Sequence, residues 1–349
     1  MKPLQDIDRR LANLARGQGQ AGGSRDRLSD LTAFGSNPGQ LRARFYTPER
    51  LREGAPLVVV LHGCTQTAAD YDYGSGWSVL ADRLGFALLF PEQQRSNNPN
   101  LCFNWFLSDD SKRNLGEPLS IRQMIETVVA AHGIDRSRVF VTGLSAGGAM
   151  AAIMLAAYPE MFAGGAIIAG LPYGCAKTVA EAFERMKGNG LADGDARMRE
   201  ASDHMGPWPI VSIWHGTADQ TVHPANADAI VRQWQKVHGL DENPSRSELV
   251  DNYPRRVWCD AKGRAVIEMY SITGMGHGTP LSTTGDDACG ASGPHMLEAN
   301  ICSTLRIAEF WGLTESVHAG RVPQADGHAW AGGLQKAIKD ALRAAGLLA

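Results

Sequence analysis

The sequence of 349 residues lacks the charge bias of nucleic-acid-binding proteins and the long apolar run of membrane proteins. Its 34 Lys and Arg residues are offset by 37 Asp and Glu residues, a net charge of −3, so we expect no nucleic-acid partner. The longest uncharged run, residues 139–159, contains Thr and Gly residues that favour a strand, a turn and a helix over a membrane span. Charged residues between positions 6 and 10 interrupt the apolar stretch that a signal peptide requires.

Patterns for metals and nucleotide cofactors are also lacking. None of the six cysteines forms a C-x-x-C pair and no H-E-x-x-H sequence occurs, so we expect no metal site. Gly17, Gly19 and Gly22 spell G-x-G-x-x-G, but no strand precedes them and no apolar helix follows, so we reject a dinucleotide site. No cofactor is therefore expected. The even number of cysteines permits three disulfides without fixing their pairing.

From residue 41 onward, short apolar runs alternate with segments of helical periodicity. The predicted strands are Leu57–Leu61, Ala87–Phe90, Val139–Thr142, Gly165–Ile168, Ile210–His215 and Val266–Ile272. The predicted helices are Trp77–Leu84, Ser120–His132, Ala146–Ala157, Ala225–His238 and Met296–Trp311. This alternation predicts an α/β fold, a mostly parallel, doubly wound sheet with helices on both faces. Active sites of such sheets lie at the carboxyl ends of the strands.

The chain divides into three predicted regions. Residues 1–40 are expected to form a short amphipathic helix and a flexible linker, and residues 41–313 the catalytic domain. Residues 314–349 read as a tail with a short helix from about 334 to 347. Two polar, glycine-containing or charge-rich stretches, about 175–209 and 241–263, look inserted. Each is either a lid over the site or surface decoration, and the sequence does not decide between them.

Ser145 is the predicted nucleophile. It is the central residue of a G-x-S-x-G sequence, Gly143-Leu144-Ser145-Ala146-Gly147, placed between a predicted strand and a predicted helix. This is the strand–turn–helix arrangement of a nucleophile elbow, in which the two glycines prevent side-chain clashes across a sharp turn. The alternative is a glycine-rich turn whose serine only caps the helix.

Asp219 and His277 are the predicted partners of Ser145. A serine hydroxyl needs a base to take its proton, and the base needs a third group to orient it. Both residues follow predicted strands and occur in the chain order Ser, Asp, His that is typical of α/β-hydrolases. The alternative role of Asp219 is to cap the next helix, which starts near Pro224. Its acidic rivals are Asp251, Asp260, Asp286 and Asp287.

The remaining histidines offer weaker candidates. His62 and His215 lie directly at strand ends, where we expect them to brace loops by hydrogen bonds. His223 and His295 are expected near the mouth of the site. None of the four has the glycine-flanked loop of His277, which suits close approach to another group.

The backbone amides of Cys64 and Ala146 are the predicted oxyanion hole. In α/β-hydrolases one donor comes from the loop after an early strand and the other from the residue after the nucleophile. A disulfide between Cys64 and Cys102 is possible and would stiffen this loop. Four aromatic residues are candidates for the substrate pocket, although aromatic side chains are more often simple core. They are Trp105, Tyr71, Tyr173 and Trp214.

Five motifs, in order, resemble the polyhydroxybutyrate (PHB) depolymerase family of esterases, to which feruloyl and acetylxylan esterases are related. They are Leu61-His62-Gly63-Cys64-Thr65-Gln66, Cys102-Phe103-Asn104-Trp105-Phe106, Gly143-Leu144-Ser145-Ala146-Gly147, Gly170-Leu171-Pro172-Tyr173-Gly174-Cys175 and His215-Gly216-Thr217-Ala218-Asp219. The resemblance covers roughly residues 41–313. It implies an α/β-hydrolase fold, a triad of Ser145, Asp219 and His277, and hydrolysis of carboxylic esters.

The expected activity is hydrolysis of polyester-type esters, such as poly- or oligo-3-hydroxybutyrate or similar short-acyl esters, through an acyl-enzyme. The alternatives are a feruloyl or acetylxylan esterase with the same machinery, and a non-catalytic hydrolase-like binding protein. The 36 residues after Leu313 are too few for a separate polymer-binding domain, so soluble oligomers or small esters are expected as much as insoluble polymer. The resemblance implies an extracellular or periplasmic location, whereas the N-terminus leaves a cytoplasmic one open. The oligomeric state is not predicted.

Overall fold

The computed structural model describes residues 26–191, 195–285 and 287–314. Both predicted terminal helices, near residues 4–14 and 334–347, lie outside these ranges. The described residues form one large sheet of ten strands, together with a small sheet of two strands. Those up to Leu313 belong to one compact unit.

Six parallel strands make up the centre of the large sheet. They are β3 (Leu57–Leu61), β4 (Ala87–Glu92), β5 (Val139–Leu144), β6 (Gly164–Ile168), β7 (Ile210–Gly216) and β10 (Ala265–Ile272). Their order across the sheet is β4-β3-β5-β6-β7-β10. Strands β3 to β6 are buried at every position, which explains why their sequences are continuously apolar rather than alternating. All six predicted strands are present.

Antiparallel strands extend both edges of the sheet. On one side lie β1 (Ser29–Leu31) and β2 (Arg42–Tyr46), and on the other the hairpin of β8 (Arg246–Val250) and β9 (Tyr253–Cys259). The sheet thus begins at Ser29, before the expected boundary at residue 41. The stretch 241–263 is this edge hairpin, and it contributes nothing to the cavity described below.

Helices cover both faces of the sheet. They are α1 (Ala68–Ser75), α2 (Trp77–Leu84), α3 (Gly116–His132), α4 (Ala146–Ala157), α5 (Val179–Met186), α6 (Asp195–Glu200), α7 (Ala225–His238) and α8 (Ser303–Phe310). Alternate residues of β3 belong to two separate cores. Val59 belongs to the core that includes residues of α3, α4 and α7, and Val58 to the core that includes residues of α1, α2 and α8. Two cores on opposite faces confirm the doubly wound architecture. No described helix has the length and apolarity needed to cross a bilayer.

The prediction of a single helix over Met296–Trp311 is wrong for the first half of that segment. Residues Met296–Glu298 form strand β12, which pairs in parallel with β11 (Thr279–Leu281). Asn300 has a positive φ of 53°, which a helix cannot accommodate. The helix begins only after Cys302, whose sulfur accepts a hydrogen bond from the amide of Leu305.

Candidate active site

Ser145 lies at the sharp turn between β5 and α4. Its φ of 57° and ψ of −116° place a residue with a side chain in a region that is normally avoided. The turn is held because the amide of Ser145 donates to the carbonyl of Ile168 on the neighbouring strand, at 2.9 Å. The serine side chain does not cap the helix, which removes the simple helix-cap interpretation.

The two glycines of the motif make this turn possible. A Cβ on Gly143 would lie 2.3 Å from the carbonyl oxygen of Gly147, on the other side of the turn. A Cβ on Gly147 would lie 2.3 Å from the carbonyl oxygen of Leu61 and 2.5 Å from that of His62. The end of β3 and the start of α4 therefore touch at a position where only glycine fits.

Neighbouring strands bring Asp219 and His277 together. Asp219 follows β7 and His277 follows β10, and these two strands are parallel neighbours. The two loops are also joined directly, since the amide of Ala218 donates to the carbonyl of Met275 at 3.0 Å. The Nδ1 atom of His277 lies 2.7 Å from Oδ2 of Asp219. Because a carboxylate only accepts, Nδ1 carries the proton and Nε2 is left to accept one.

The Asp219 carboxylate is buried and well provided with donors. Its Oδ1 accepts from the amides of Thr221 and Val222 at 2.8 and 2.9 Å, and Nε2 of His215 lies 3.4 Å from Oδ2. Burial alone would raise the pKa of Asp219, but the hydrogen bonds from His215 and His277 hold that pKa well below its usual value. Asp219 is thus held as an anion next to Nδ1 of His277.

His62 and His215 brace loops, as predicted. The Nε2 atom of His62 accepts from the amide of Gln93 at 3.1 Å, so its Nδ1 donates to the carbonyl of Gly63 at 2.7 Å. Burial lowers the pKa of His62 and keeps it neutral. His215 donates from Nε2 to the carbonyl of Val222 at 2.8 Å, which closes the turn that holds Asp219.

Ser145 and His277 face the same cavity, of about 290 Å³. Within the described residues their side chains form no direct hydrogen bond, and catalytic contacts of this type are often long before substrate binds. Cys64 and Ala146 also line the cavity, and neither backbone amide has an acceptor in the described part of the chain. The structure thus brings all five predicted machinery residues to one site.

The loop that carries Cys64 is fixed at several points. Cys64 forms a disulfide with Cys102, and the amide of Thr65 donates to the carbonyl of Asn100 at 2.7 Å. Gln66 accepts from the amide of Gly63 through its side chain, at 2.8 Å. A second disulfide joins Cys289 to Cys302, a pairing that the sequence left open.

A buried carboxyl group holds residues 93–106, a segment that forms part of the cavity wall. Glu117 accepts from the backbone amide of Asn104 at 2.9 Å, from its side-chain amide at 2.9 Å, and from the side chain of Gln93 at 2.6 Å. Burial raises the pKa of Glu117 to about 8, aided by the nearby charge of Asp110. This loop carries Cys102 and Trp105, so Glu117 supports both the disulfide and the cavity wall.

The walls of the cavity are mainly apolar. Of the four predicted aromatic residues, only Trp105 lines it. The other apolar lining residues are Phe106, Leu144, Leu171, Val179, Ala182, Phe183, Met186 and Val222. Helix α5 belongs to the stretch 175–209, for which the sequence left a lid and surface decoration open. Its residues Val179, Ala182, Phe183 and Met186 line the cavity and follow the i, i+3, i+4, i+7 spacing of one helix face. The stretch 175–209 therefore supplies a cavity wall.

The predictions that Tyr71, Tyr173 and Trp214 line this cavity are wrong. Tyr71 is fully buried in the core, where its hydroxyl lies 3.2 Å from that of Thr279. Trp214 points to the other face of the sheet and stacks on Tyr270, with ring centroids 3.8 Å apart. Tyr173 lines a separate surface pocket instead.

Comparisons with known proteins identify the family of this chain. The family model described as Esterase PHB depolymerase matches residues 42–247. The chain is 46% identical over 291 residues to poly(3-hydroxyalkanoate) depolymerase C of Paucimonas lemoignei, a match that covers 82% of this chain and 70% of that protein. It is 29% identical over 269 residues to feruloyl esterase B of Talaromyces funiculosus, with 74% of each chain covered.

A solved structure with a similar fold is also that of an esterase. Acetyl xylan esterase from Aspergillus awamori superposes with a TM-score of 0.69 at 27% identity, covering 82% of this chain and 99% of that one. The enzymes that this chain resembles hydrolyse carboxylic esters, and it is itself a carboxylic-ester hydrolase. The fold, the family match and the relatives together show that the chain belongs to the PHB depolymerase family of esterases.

Proposed function

We propose that this enzyme cleaves short-acyl, polyester-type esters by a two-step mechanism with Ser145 as nucleophile. The observation that carries the proposal is the cavity itself, which is lined both by Ser145 on a strained turn and by His277, whose Nδ1 lies 2.7 Å from the carboxylate of Asp219. This arrangement leaves Nε2 of His277 as the base for the serine proton.

In the first step, Oγ of Ser145 attacks the ester carbonyl carbon while Nε2 of His277 takes the hydroxyl proton. The carbonyl oxygen becomes an oxyanion, to which the amides of Cys64 and Ala146 donate. The tetrahedral intermediate collapses, the bond to the leaving alcohol breaks, and His277 gives that oxygen its proton. Asp219 stabilises the imidazolium that exists between these two transfers.

In the second step, water hydrolyses the acyl-enzyme. His277 takes a proton from the water, the hydroxide oxygen bonds to the acyl carbon, and a second oxyanion forms in the same position. Collapse of this intermediate breaks the bond to Oγ of Ser145, which regains its proton from His277, and releases the carboxylic acid. No residue outside the five described is required for proton transfer.

The cavity and a relative with 46% identity support this substrate class. A volume of about 290 Å³ with mainly apolar walls suits a short acyl chain. The relative with 46% identity is a poly(3-hydroxyalkanoate) depolymerase, whose substrate is a polyester of hydroxy acids. We therefore place 3-hydroxybutyrate oligomers ahead of feruloylated or acetylated polysaccharides.

The test combines one variant with a panel of esters. Ser145→Ala should lose p-nitrophenyl butyrate hydrolysis by at least about 10⁴-fold and should not be labelled by a fluorophosphonate probe. On the unmodified enzyme, kcat/KM should be higher for soluble 3-hydroxybutyrate oligomers than for methyl ferulate or acetylated xylan. Full activity of Ser145→Ala would overturn the mechanism, and a preference for methyl ferulate would overturn the substrate.

A further inference from the structure

His295 faces the cavity from a segment that the proposed mechanism does not use. Its Nδ1 lies 3.1 Å from the backbone carbonyl oxygen of His277, and its ring stands against the His277 ring, with centroids 5.7 Å apart and planes at 77°. A carbonyl oxygen only accepts, so Nδ1 of His295 carries the proton and donates. His295 therefore binds the backbone of the residue whose side chain Asp219 holds.

The backbone of His295 is strained and tightly packed. Its φ is 59°, a left-handed conformation that is uncommon for a residue with a side chain. Its carbonyl oxygen accepts from the amide of Thr279 at 2.8 Å, and a Cβ on Gly278 would lie 2.7 Å from the same oxygen. Such strain persists only where surrounding contacts hold it in place.

The segment that carries His295 is anchored at both ends. The disulfide between Cys289 and Cys302 closes it, and the amide of Ala291 donates to the carbonyl of Gly74 at 2.9 Å. Strand β12, which follows His295 directly, pairs with β11 after the His277 loop. The segment is therefore a fixed support for that loop.

The loop around His277 needs such a support. It contains Gly274, Gly276 and Gly278, and its backbone contacts the Asp219 loop only on one side, where a Cβ on Gly216 would lie 2.6 Å from the carbonyl oxygen of Gly276. A Cβ on Gly276 itself would meet no atom within 4 Å, so the other side of the chain there is open. The bond to Asp219 fixes one atom of the imidazole, about which the ring can still pivot. A second anchor on the backbone of His277 removes this freedom and fixes the direction of Nε2.

We propose that His295 is a positioning residue, whose Nδ1–H bond to the His277 carbonyl and ring contact aim Nε2 of His277 at Ser145. The inference rests on the proposed role of His277 as base. His295 itself transfers no proton. Burial lowers the pKa of His295, as does the neighbouring His277, so the ring stays neutral and adds no repulsion when His277 becomes charged.

Three substitutions separate the hydrogen bond from the ring and from the backbone strain. His295→Phe keeps a ring and loses the donor. His295→Gly loses both but relieves the positive φ, so it folds without strain. His295→Asn keeps a donor close to the Nδ1 position and tolerates the left-handed backbone.

On p-nitrophenyl butyrate, we expect kcat of His295→Phe and His295→Gly to fall by about 10- to 100-fold, with KM changed less than twofold. His295→Asn should stay within about threefold of the unmodified enzyme. The rate of fluorophosphonate labelling should follow kcat in all three variants, and melting temperatures show that each is folded. Equal kcat values for the Gly and Asn variants, or a change confined to KM, would overturn the inference. Failure of the proposed function itself would be seen in a different experiment, in which the Ser145→Ala variant remains active.

Discussion

Gly147→Ala should disable the enzyme while leaving most of the fold intact. The new Cβ would lie 2.3 Å from the carbonyl oxygen of Leu61, whereas ordinary contacts begin near 3.4 Å, so the two backbones must separate by about 1 Å. The displaced segment leads into Cys64, and the displaced helix begins at Ala146. A shift of this size at both oxyanion donors is expected to lower kcat by about 10²–10³-fold. The overpacking costs about 1–3 kcal/mol of unfolding free energy.

Gly276→Ala is the matched control. It adds the same methyl group next to His277, but its Cβ meets nothing within 4 Å and its backbone is not left-handed. We expect kcat of this variant within about threefold of the unmodified enzyme. The assay is initial-rate hydrolysis of p-nitrophenyl butyrate, with melting temperature measured by circular dichroism. A Gly147→Ala enzyme with unchanged kcat and melting temperature would refute the steric reasoning.

Three further perturbations test the site. Asp219→Asn should lower kcat by about 10⁴-fold with little change in KM, because the His277 ring loses the acceptor that fixes its tautomer; a loss below tenfold at pH 8 would argue against this role. Glu117 has a folded-state pKa of about 8, above its usual 4.5. Its protonation therefore adds to the free energy of unfolding at low pH, and this stabilisation is lost as pH rises from about 4.5 through 8. Urea unfolding of Glu117→Gln between pH 5 and 9 should therefore show a flatter stability profile than the unmodified enzyme, and identical profiles would contradict the assignment. Phe183→Ala should raise KM for p-nitrophenyl butyrate about tenfold, about 1.4 kcal/mol, whereas Glu184→Ala on the outer side of the same helix should not.

The sequence predicted the elements that obey a simple periodicity. Helices Trp77–Leu84, Ala146–Ala157 and Ala225–His238 have the expected bounds, because their apolar residues repeat along one face or fill the whole helix. The buried central strands were recognisable as continuous apolar runs. The rule that sites lie at strand ends also predicted that Asp219 and His277 lie close together, and they do because β7 and β10 are neighbours.

Features set by distant contacts were not predictable in the same way. The end of β12 and the start of α8 depend on a positive φ at Asn300 and on the cap at Cys302, neither of which alters the apolar spacing of residues 296–311. Trp214 lies at a strand end, but alternation along β7 sends its side chain to the face opposite the cavity. The sequence alone does not show which face of the sheet borders the cavity.

One short helix, α5, supplies four of the side chains that line the cavity. The predicted chemical groups are placed by the sheet and its turns, whereas Val179, Ala182, Phe183 and Met186 come from one contiguous stretch of chain. We therefore expect side-chain substitutions on this helix face to change acyl-chain preference, while the backbone bond from the amide of His223 to the carbonyl of Met186 stays in place. Libraries restricted to these four positions would explore new selectivity at small risk to turnover.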